Sequence, residues 1–425
     1  MKTFIFSATA LALGICATAQ TQKTITAPTP QPYATTGATI GGNFSDIDQI
    51  AVGNSAVVQQ QGTANGSFIS QTGANATNLN VIDVLQWGNV QPSISGHLNY
   101  SDIEQNGEGN AFTARQQGDE NQNFGTQIGL NNEALVQQGA NVPQQAENNL
   151  AIVDQDGKDN FAEVQQRFDN SEASIVQRND AVMGLGNRSY QEQIANPNQS
   201  AGHLAIGTQY GNNNELVQMQ EGPGLGNYAE ANQGDAITGA TNVFAQQLQL
   251  GELNEAFVDQ KGTGNTAFQE QTGMSNSAVA SQADNPITGA NLYVEQYQDG
   301  TSNRAESKQN GSNNEAYQEQ YGLSNFSRIE QRGGVNPSLG NVATSLQDGT
   351  LNNSFIEQKA RNNNAMVDQT GNGQTSIVTQ NLSSNSAPNG HGTNTATVIQ
   401  RNANVPLTPQ VQRAAATKRH TFNQS

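Results

Sequence analysis

One pattern constrains this chain more than any other: an Asn, five residues, a Gln, a short turn that usually contains Gly, and then Asn again. Asn99 to Gln105, Asn110 to Gln116, Asn121 to Gln127 and Asn132 to Gln138 step by 11 residues. The unit opens at 28 places between Asn43 and Asn394; all 28 close on Gln six residues later and 23 open on Asn. Five openings differ in residue type: Ser171, His203, Thr241, Ala290 and Gln374. A repeat this regular points to a solenoid, in which each short unit buries its face only by stacking on its neighbours.

The spacing fits a β-strand. Side chains alternate with period two, so positions 0, +2, +4 and +6 of each unit share one face. In Asn160 to Gln166 that face reads Asn, Ala, Val, Gln, and the other reads Phe, Glu, Gln. The +2 site is mostly small (Ala134, Ala162, Ala256, Ala267), and the +4 site is often β-branched (Val136, Val164, Ile175, Ile329). Small against branched suits a narrow core between two sheets about 10 Å apart. Gly commonly follows two residues after the closing Gln, as at Gly107, Gly129 and Gly157, and permits the positive φ of a tight reversal. Seven strand and four turn residues make half a coil. The expected fold is therefore an all-β solenoid of stacked strand-turn-strand coils, about 22 residues each and about 14 in number, roughly 65–70 Å long at ~4.8 Å per strand.

The opening Asn and closing Gln flank each apolar pair. An amide stacked on its equivalent one coil away both donates and accepts, which predicts Asn/Gln ladders along the axis of an amyloid-like two-sheet core. The ladder candidates include Asn54, Gln60, Asn110, Gln116, Asn160, Gln166, Asn254, Gln260, Asn265, Gln271, Asn314, Gln320, Asn325 and Gln331. An inward amide without a partner costs ~1–3 kcal/mol, so the ladder fixes register as well as stabilising the stack. A second period lies above the first: Asn227, Asn276, Asn325 and Gln374 are each 49 residues apart. A longer connection recurs every fourth strand, as at 283–289 and 332–340, and is expected on one edge of the solenoid. It reads either as block duplication or as a row of loops used for binding.

Composition enters where it limits function. Only 34% of residues are hydrophobic and 13% charged, too few apolar residues for ordinary globular cores and too few charges for a highly charged disordered chain. The formal net charge of -18 opposes contact with nucleic acid. Residues 1–19 read as a signal peptide: Lys2 supplies the charge, Phe4 to Ile15 the apolar stretch and Ala17-Thr18-Ala19 the cleavage site. The single Cys, Cys16, would leave with it, so no disulfide is expected in the mature chain. No later segment has the ~18 consecutive apolar residues of a membrane span. Residues 20–42 form a Thr/Pro/Ala-rich N-terminal segment, the repeats occupy 43–400, and 401–425 is a tail with a basic run at Lys418-Arg419-His420.

No catalytic or cofactor constellation stands out. The histidines His97, His203, His391 and His420 are scattered, with no zinc spacing and no neighbouring nucleophile. Phosphate loops and calcium-binding nonapeptides are missing. Asp154, Asp259, Glu270, Glu319, Glu330, Glu357 and Asp368 share the outward +5 position, which reads as a solvated face discouraging lateral aggregation. The outward +3 position carries Phe68, Phe124, Tyr190, Phe244, Phe257, Phe268, Tyr293, Tyr317 and Phe355. That row is either a lateral contact surface or cross-strand packing on one sheet.

The units resemble the curlin repeat, the strand-turn-strand unit of curli fibre subunits, whose pattern is Ser or Asn, five residues, Gln, four residues, then the same again. Asn254 to Gln260, Lys261-Gly262-Thr263-Gly264, and Asn265 to Gln271 fit it throughout, and the resemblance covers about residues 43–400. It implies a secreted subunit that leaves through an outer-membrane export pore with accessory factors, and polymerises with itself into an amyloid fibre of the cell surface. Such fibres serve as biofilm matrix and adhesive. Residues 20–42 have the place and length of that family's export segment. The number of coils, the insertions and the basic tail depart from major curli subunits, leaving open the roles of major subunit, nucleator or specialised adhesin. The expected mechanism is end-to-end stacking through the unpaired edges of the first and last strands. The rivals are a monomeric secreted solenoid adhesin or binding module, and a carbohydrate-active enzyme. An ice binder would need a sustained Thr-x-Thr array, and an enzyme a break in the repeat holding clustered acids. The sequence has neither; Thr395 and Thr397 are an isolated pair.

Overall fold

A computed structural model describes residues 42–87, 98–139, 146–197, 201–283, 289–333, 340–360, 362–380 and 394–402. The expected signal peptide, nearly all of the 20–42 segment and the tail from residue 403 lie outside the described residues.

Alternation along each unit becomes strand alternation in the fold. Phe161–Arg167 buries every second side chain, and so does Glu172–Arg178. Successive units go to opposite sheets. The first sheet runs from Phe44–Ala51 through Gly66–Gly73 and Tyr100–Glu108 to Thr375–Gln380, and the second from Asn54–Gln60 through Asn80–Trp87 to Thr395–Arg401. Each main path has 14 strands, so the coil count is 14. All pairings are parallel and in register with the repeat, with Gln155 lying between Gln127 and Gln177. The described residues contain no helix.

The core lies between the sheets and is two rows deep from each side. Ala162, Val164, Ala173 and Ile175 are fully buried, as are Ala256, Ala267, Ile329 and Ile356. Where one sheet carries a large residue the other retreats: a Cβ on Gly125 would lie 2.3 Å from the Phe112 ring.

The turn glycines work differently from a simple reversal. Gly107, Gly129 and Gly157 have φ of +128°, +109° and +121° but stay inside the paired strands. A Cβ on Gly129 would sit 2.1 Å from Gly157 O, so a glycine column is required by close backbone approach. The left-handed residue of the reversal is instead the one just before each opening Asn. Asn131, Asn213, Asn242, Asn291 and Asn313 stand there with φ of 52–56°, a conformation Asn tolerates best among side-chain-bearing residues.

Two units shift in register. Glu215 pairs with Phe244, so Val243, and not Thr241, takes the opening position; Thr266 pairs with Tyr293, so Leu292, and not Ala290, opens the other. Their closing residues are Gln249 and Gln298. The longer connections of the 49-residue period lead from Tyr228–Gln233, Ser277–Gln282 and Phe326–Arg332 of the first sheet into the second, and so share one edge. Residues 284–288 and 334–339 within them lie outside the described residues.

Candidate functional site: amide ladders and the outer face

The closing glutamines form two unbroken ladders. In the first sheet each Nε2 donates to Oε1 of the next coil from Gln49 through Gln71, Gln105 and Gln260 to Gln380, at 2.6–3.1 Å. In the second the series runs from Gln60 through Gln86, Gln116, Gln166, Gln271 and Gln320 to Gln400, at 2.7–3.0 Å. Every donor points toward the C-terminal coil. The second Nε2 hydrogen crosses the core to a backbone carbonyl of the other sheet: Gln116 to Tyr100 O, Gln166 to Leu150 O and Gln331 to Glu315 O, each at 2.9 Å. Each glutamine thus ties its own coil shut and locks it to the next.

The asparagines run in the opposite sense. Asn110 donates from its backbone N (3.1 Å) and Nδ2 (3.3 Å) to Asn80 Oδ1, and Asn160 does the same to Asn132. Asn54 accepts from Asn80, Asn254 from Asn276, and Asn325 donates its backbone N to Asn303. Asn265 accepts the backbone N–H of Leu292, and Asn314 accepts from both nitrogens of Asn341. Val243 and Leu292 interrupt the side-chain ladder, yet each still donates its backbone N to the preceding Asn.

His203 replaces an opening Asn and is 1% exposed. Its Nδ1 accepts from Asn227 N at 3.1 Å and its Nε2 lies 3.1 Å from Ile194 O. A carbonyl accepts only, so the ring is the neutral Nε2–H tautomer. Burial holds its pKa below the ordinary histidine value.

A third ladder, inside the core, escaped the sequence reading. Gln191, Gln218, Gln247, Gln269, Gln296 and Gln318 occupy +4 positions of six consecutive second-sheet strands, all buried, and link Nε2 to Oε1 at 2.7–2.9 Å. The signal was present as Gln at both +4 and +6 in these units. The same doubling caused the register error, because Gln247 and Gln296 pass for closing residues.

The outward aromatics are packed rather than open. Phe68, Phe124, Phe257, Tyr293 and Tyr317 are at most 9% exposed. They interleave diagonally with rings at +1, as in Phe44–Phe68–Tyr100–Phe124 (5.4–5.7 Å between centroids) and Tyr228–Phe257 (5.1 Å). With the register corrected, Phe244 and Tyr293 belong to +1, and the series Phe244–Phe268–Tyr293–Tyr317 is continuous at 5.3–5.9 Å. Phe355 packs under the Arg328 guanidinium at 5.9 Å. Tyr190 and Tyr317 are pushed well above the ordinary phenol pKa by burial, reinforced by Glu192 and Glu315. The +5 acids are also not uniformly solvated: Asp368 is completely buried in an ion pair with Arg401, and Asp154 pairs with Arg178.

Among the described residues no group of three His, Cys, Asp or Glu is arranged to hold a metal ion, and no helix is long and apolar enough to cross a membrane. A family model described as the curlin associated repeat matches residues 139–167, 249–283 and 340–371. No curated protein matches the chain.

Proposed function

The chain is a curlin-repeat protein, and from that premise we propose that it is exported and polymerises end to end into an extracellular, curli-like amyloid fibre of adhesive or matrix function. The observation that carries this reading is the direction of the ladders. Among the described residues they begin at Gln49 and Gln60, which keep an Oε1 for a preceding coil, and end at Gln380 and Gln400, which keep an Nε2 hydrogen for a following one. Gln374 Oε1 is buried without a partner in the last strand of the first sheet. It stands at the opening position, where the side-chain oxygen of other coils accepts from the coil that follows. Donor and acceptor match when the last coil of one copy meets the first coil of another, whereas two like ends set acceptor against acceptor. Stacking is therefore polar, and it extends three hydrogen-bonded systems (backbone, Gln and Asn) across the junction. Passage through an outer-membrane pore with accessory factors belongs to the same proposal, as does the role of Phe68, Phe124 and the other outer rings in lateral fibre contact.

The test is fibre formation by purified residues 20–425, followed by electron microscopy and thioflavin fluorescence. The expected result is unbranched fibres that grow from one end, accelerate on seeding and give a ~4.7–4.8 Å meridional reflection. A folded protein that stays monomeric for days at high concentration overturns polymerisation and leaves the single-chain adhesin.

A further inference from the structure

The edge that carries the long connections also carries a cleft. Residues 261–264 make a short turn between two longer connections, 234–242 and 283–291, so the edge dips at this coil. The dip is deepened by two small residues. Gly264 stands where neighbouring coils have Asn242 and Asn291, and Thr266 stands in register between Phe244 and Tyr293. The result is a groove of about 610 Å³ on the outer face of the second sheet.

Its walls have a definite chemistry. Phe244 and Tyr293 are two strand spacings apart, about 9.5 Å, and Phe268 closes the back, 5.3 Å and 5.9 Å from them. At the rim, Asn242 and Asn291 are exposed and oriented by their far-side neighbours. Asn213 donates to Asn242 Oδ1 at 2.7 Å, and Asn291 Nδ2 donates to Asn313 at 3.3 Å. Asn291 therefore turns Oδ1 toward the gap, where a Cβ on Gly264 would meet it at 2.6 Å, and Asn242 has its Nδ2 to offer. The charged lining residues Arg188 and Glu215 lie two and three coils away, adjacent to each other and opposite in sign.

We propose that this groove binds a neutral pyranose unit of a polysaccharide. Apolar ring faces on either side, a planar amide donor and acceptor at the rim, and no charge at the centre match a sugar ring, with its apolar C–H faces and equatorial hydroxyls. An acidic saccharide or a phosphorylated ligand finds no cation there. A fibre built from such subunits would carry one saccharide site per copy along one edge. The site itself needs no polymerisation.

The experiment is titration of monomeric residues 20–425 with fluorescently labelled cellohexaose and maltohexaose, with hexagalacturonate as the charged comparator. At least one neutral hexasaccharide is expected to bind saturably, and hexagalacturonate at least 10-fold more weakly. Gly264→Asn places in the gap the residue that other coils carry at the same backbone conformation, and is expected to weaken binding at least 10-fold with an unchanged circular dichroism spectrum. Should that variant misfold, Thr266→Tyr fills the gap from the other wall and gives the same reading. Absence of binding by both neutral sugars, equal binding by hexagalacturonate, or full binding by a folded gap-filled variant overturns the proposal. Fibre growth is scored separately, so loss of the site and loss of assembly are distinguishable.

Discussion

The first five coils and the central six share one backbone and fill it with different chemistry. In the early coils the second sheet presents Val84, Ala114, Val136 and Val164 at +4, against Ile69, Ile103, Val153 and Ile175 of the first. In the central coils that row becomes Gln191 to Gln318, and the facing sheet shrinks to Gly207, Ala231, Ala280 and Ser307 in several coils. An apolar core tolerates any neighbour of the right volume. An amide row tolerates only another amide at the same height, because each Oε1 is satisfied by the coil before it and each Nε2 by the coil after it. The early coils are therefore held together mainly by burial. The central ones are held by register.

The largest difference should appear when one link is removed. Gln247→Met keeps the volume but leaves Gln218 Nε2 without its ladder acceptor and Gln269 Oε1 without its donor. At ~1–3 kcal/mol for each buried orphan, the loss is about 2–6 kcal/mol. Repeat proteins open locally, so the readout is hydrogen exchange in Glu215–Glu221 and Thr266–Met274 rather than one global midpoint. Replacing Gln218 and Gln247 together should cost less than the two singles summed, since they share one bond. Strict additivity would mean that the row is filler and the comparison fails.

Much of this was legible in advance, for a physical reason. The closing Gln and opening Asn make bonds that no other side chain makes in the same way, so the sequence shows them at nearly every coil, and strand, face and coil number follow. Legibility ended where one residue type served two purposes. Gln247 and Gln249 satisfy the same spacing, and only the pairing of Glu215 with Phe244 separates core amide from closing amide. The outer rings were legible as a row but not in their packing, because the diagonal contacts join +1 to +3 of different coils, which a single-strand reading does not align. Burial of the pair Asp368–Arg401 arises likewise from residues 33 apart.

Acid probes the junction between the two regions. His203 lies at the seventh coil, after the early apolar cluster ends at Ile175 and before the later one begins at Leu216. Its folded pKa lies below its unfolded value of about 6.5. Above that value neither state binds the proton and stability is complete. As pH falls below it the unfolded chain protonates first, so stability declines by at most about 1.4 kcal/mol per pH unit until the folded pKa is passed, and then levels off. Exchange in Leu204–Asn212 and Tyr228–Gln233 should rise between pH 6.5 and 5 while Leu150–Lys158 is unaffected. His203→Asn restores the repeat residue and should abolish the difference. Equal acid sensitivity in that variant would assign the effect to the carboxylates.

The smallest effect belongs to the apolar region and sets its baseline. Ile175→Val removes one methylene from a fully buried site facing Val164 and Ala162 in the same cluster, and should cost about 1 kcal/mol. The loss should be confined to coils five to seven, read as exchange in Leu150–Lys158 and Glu172–Arg178. No hydrogen bond is orphaned, so neighbouring Val or Ala positions can relax toward the gap and the ladders of Gln155 and Gln177 stay closed at 2.8 Å. A penalty as large as that of Gln247→Met would show that volume governs both regions. A penalty below about 0.5 kcal/mol would show that even the early coils owe their order to the amides that bracket them.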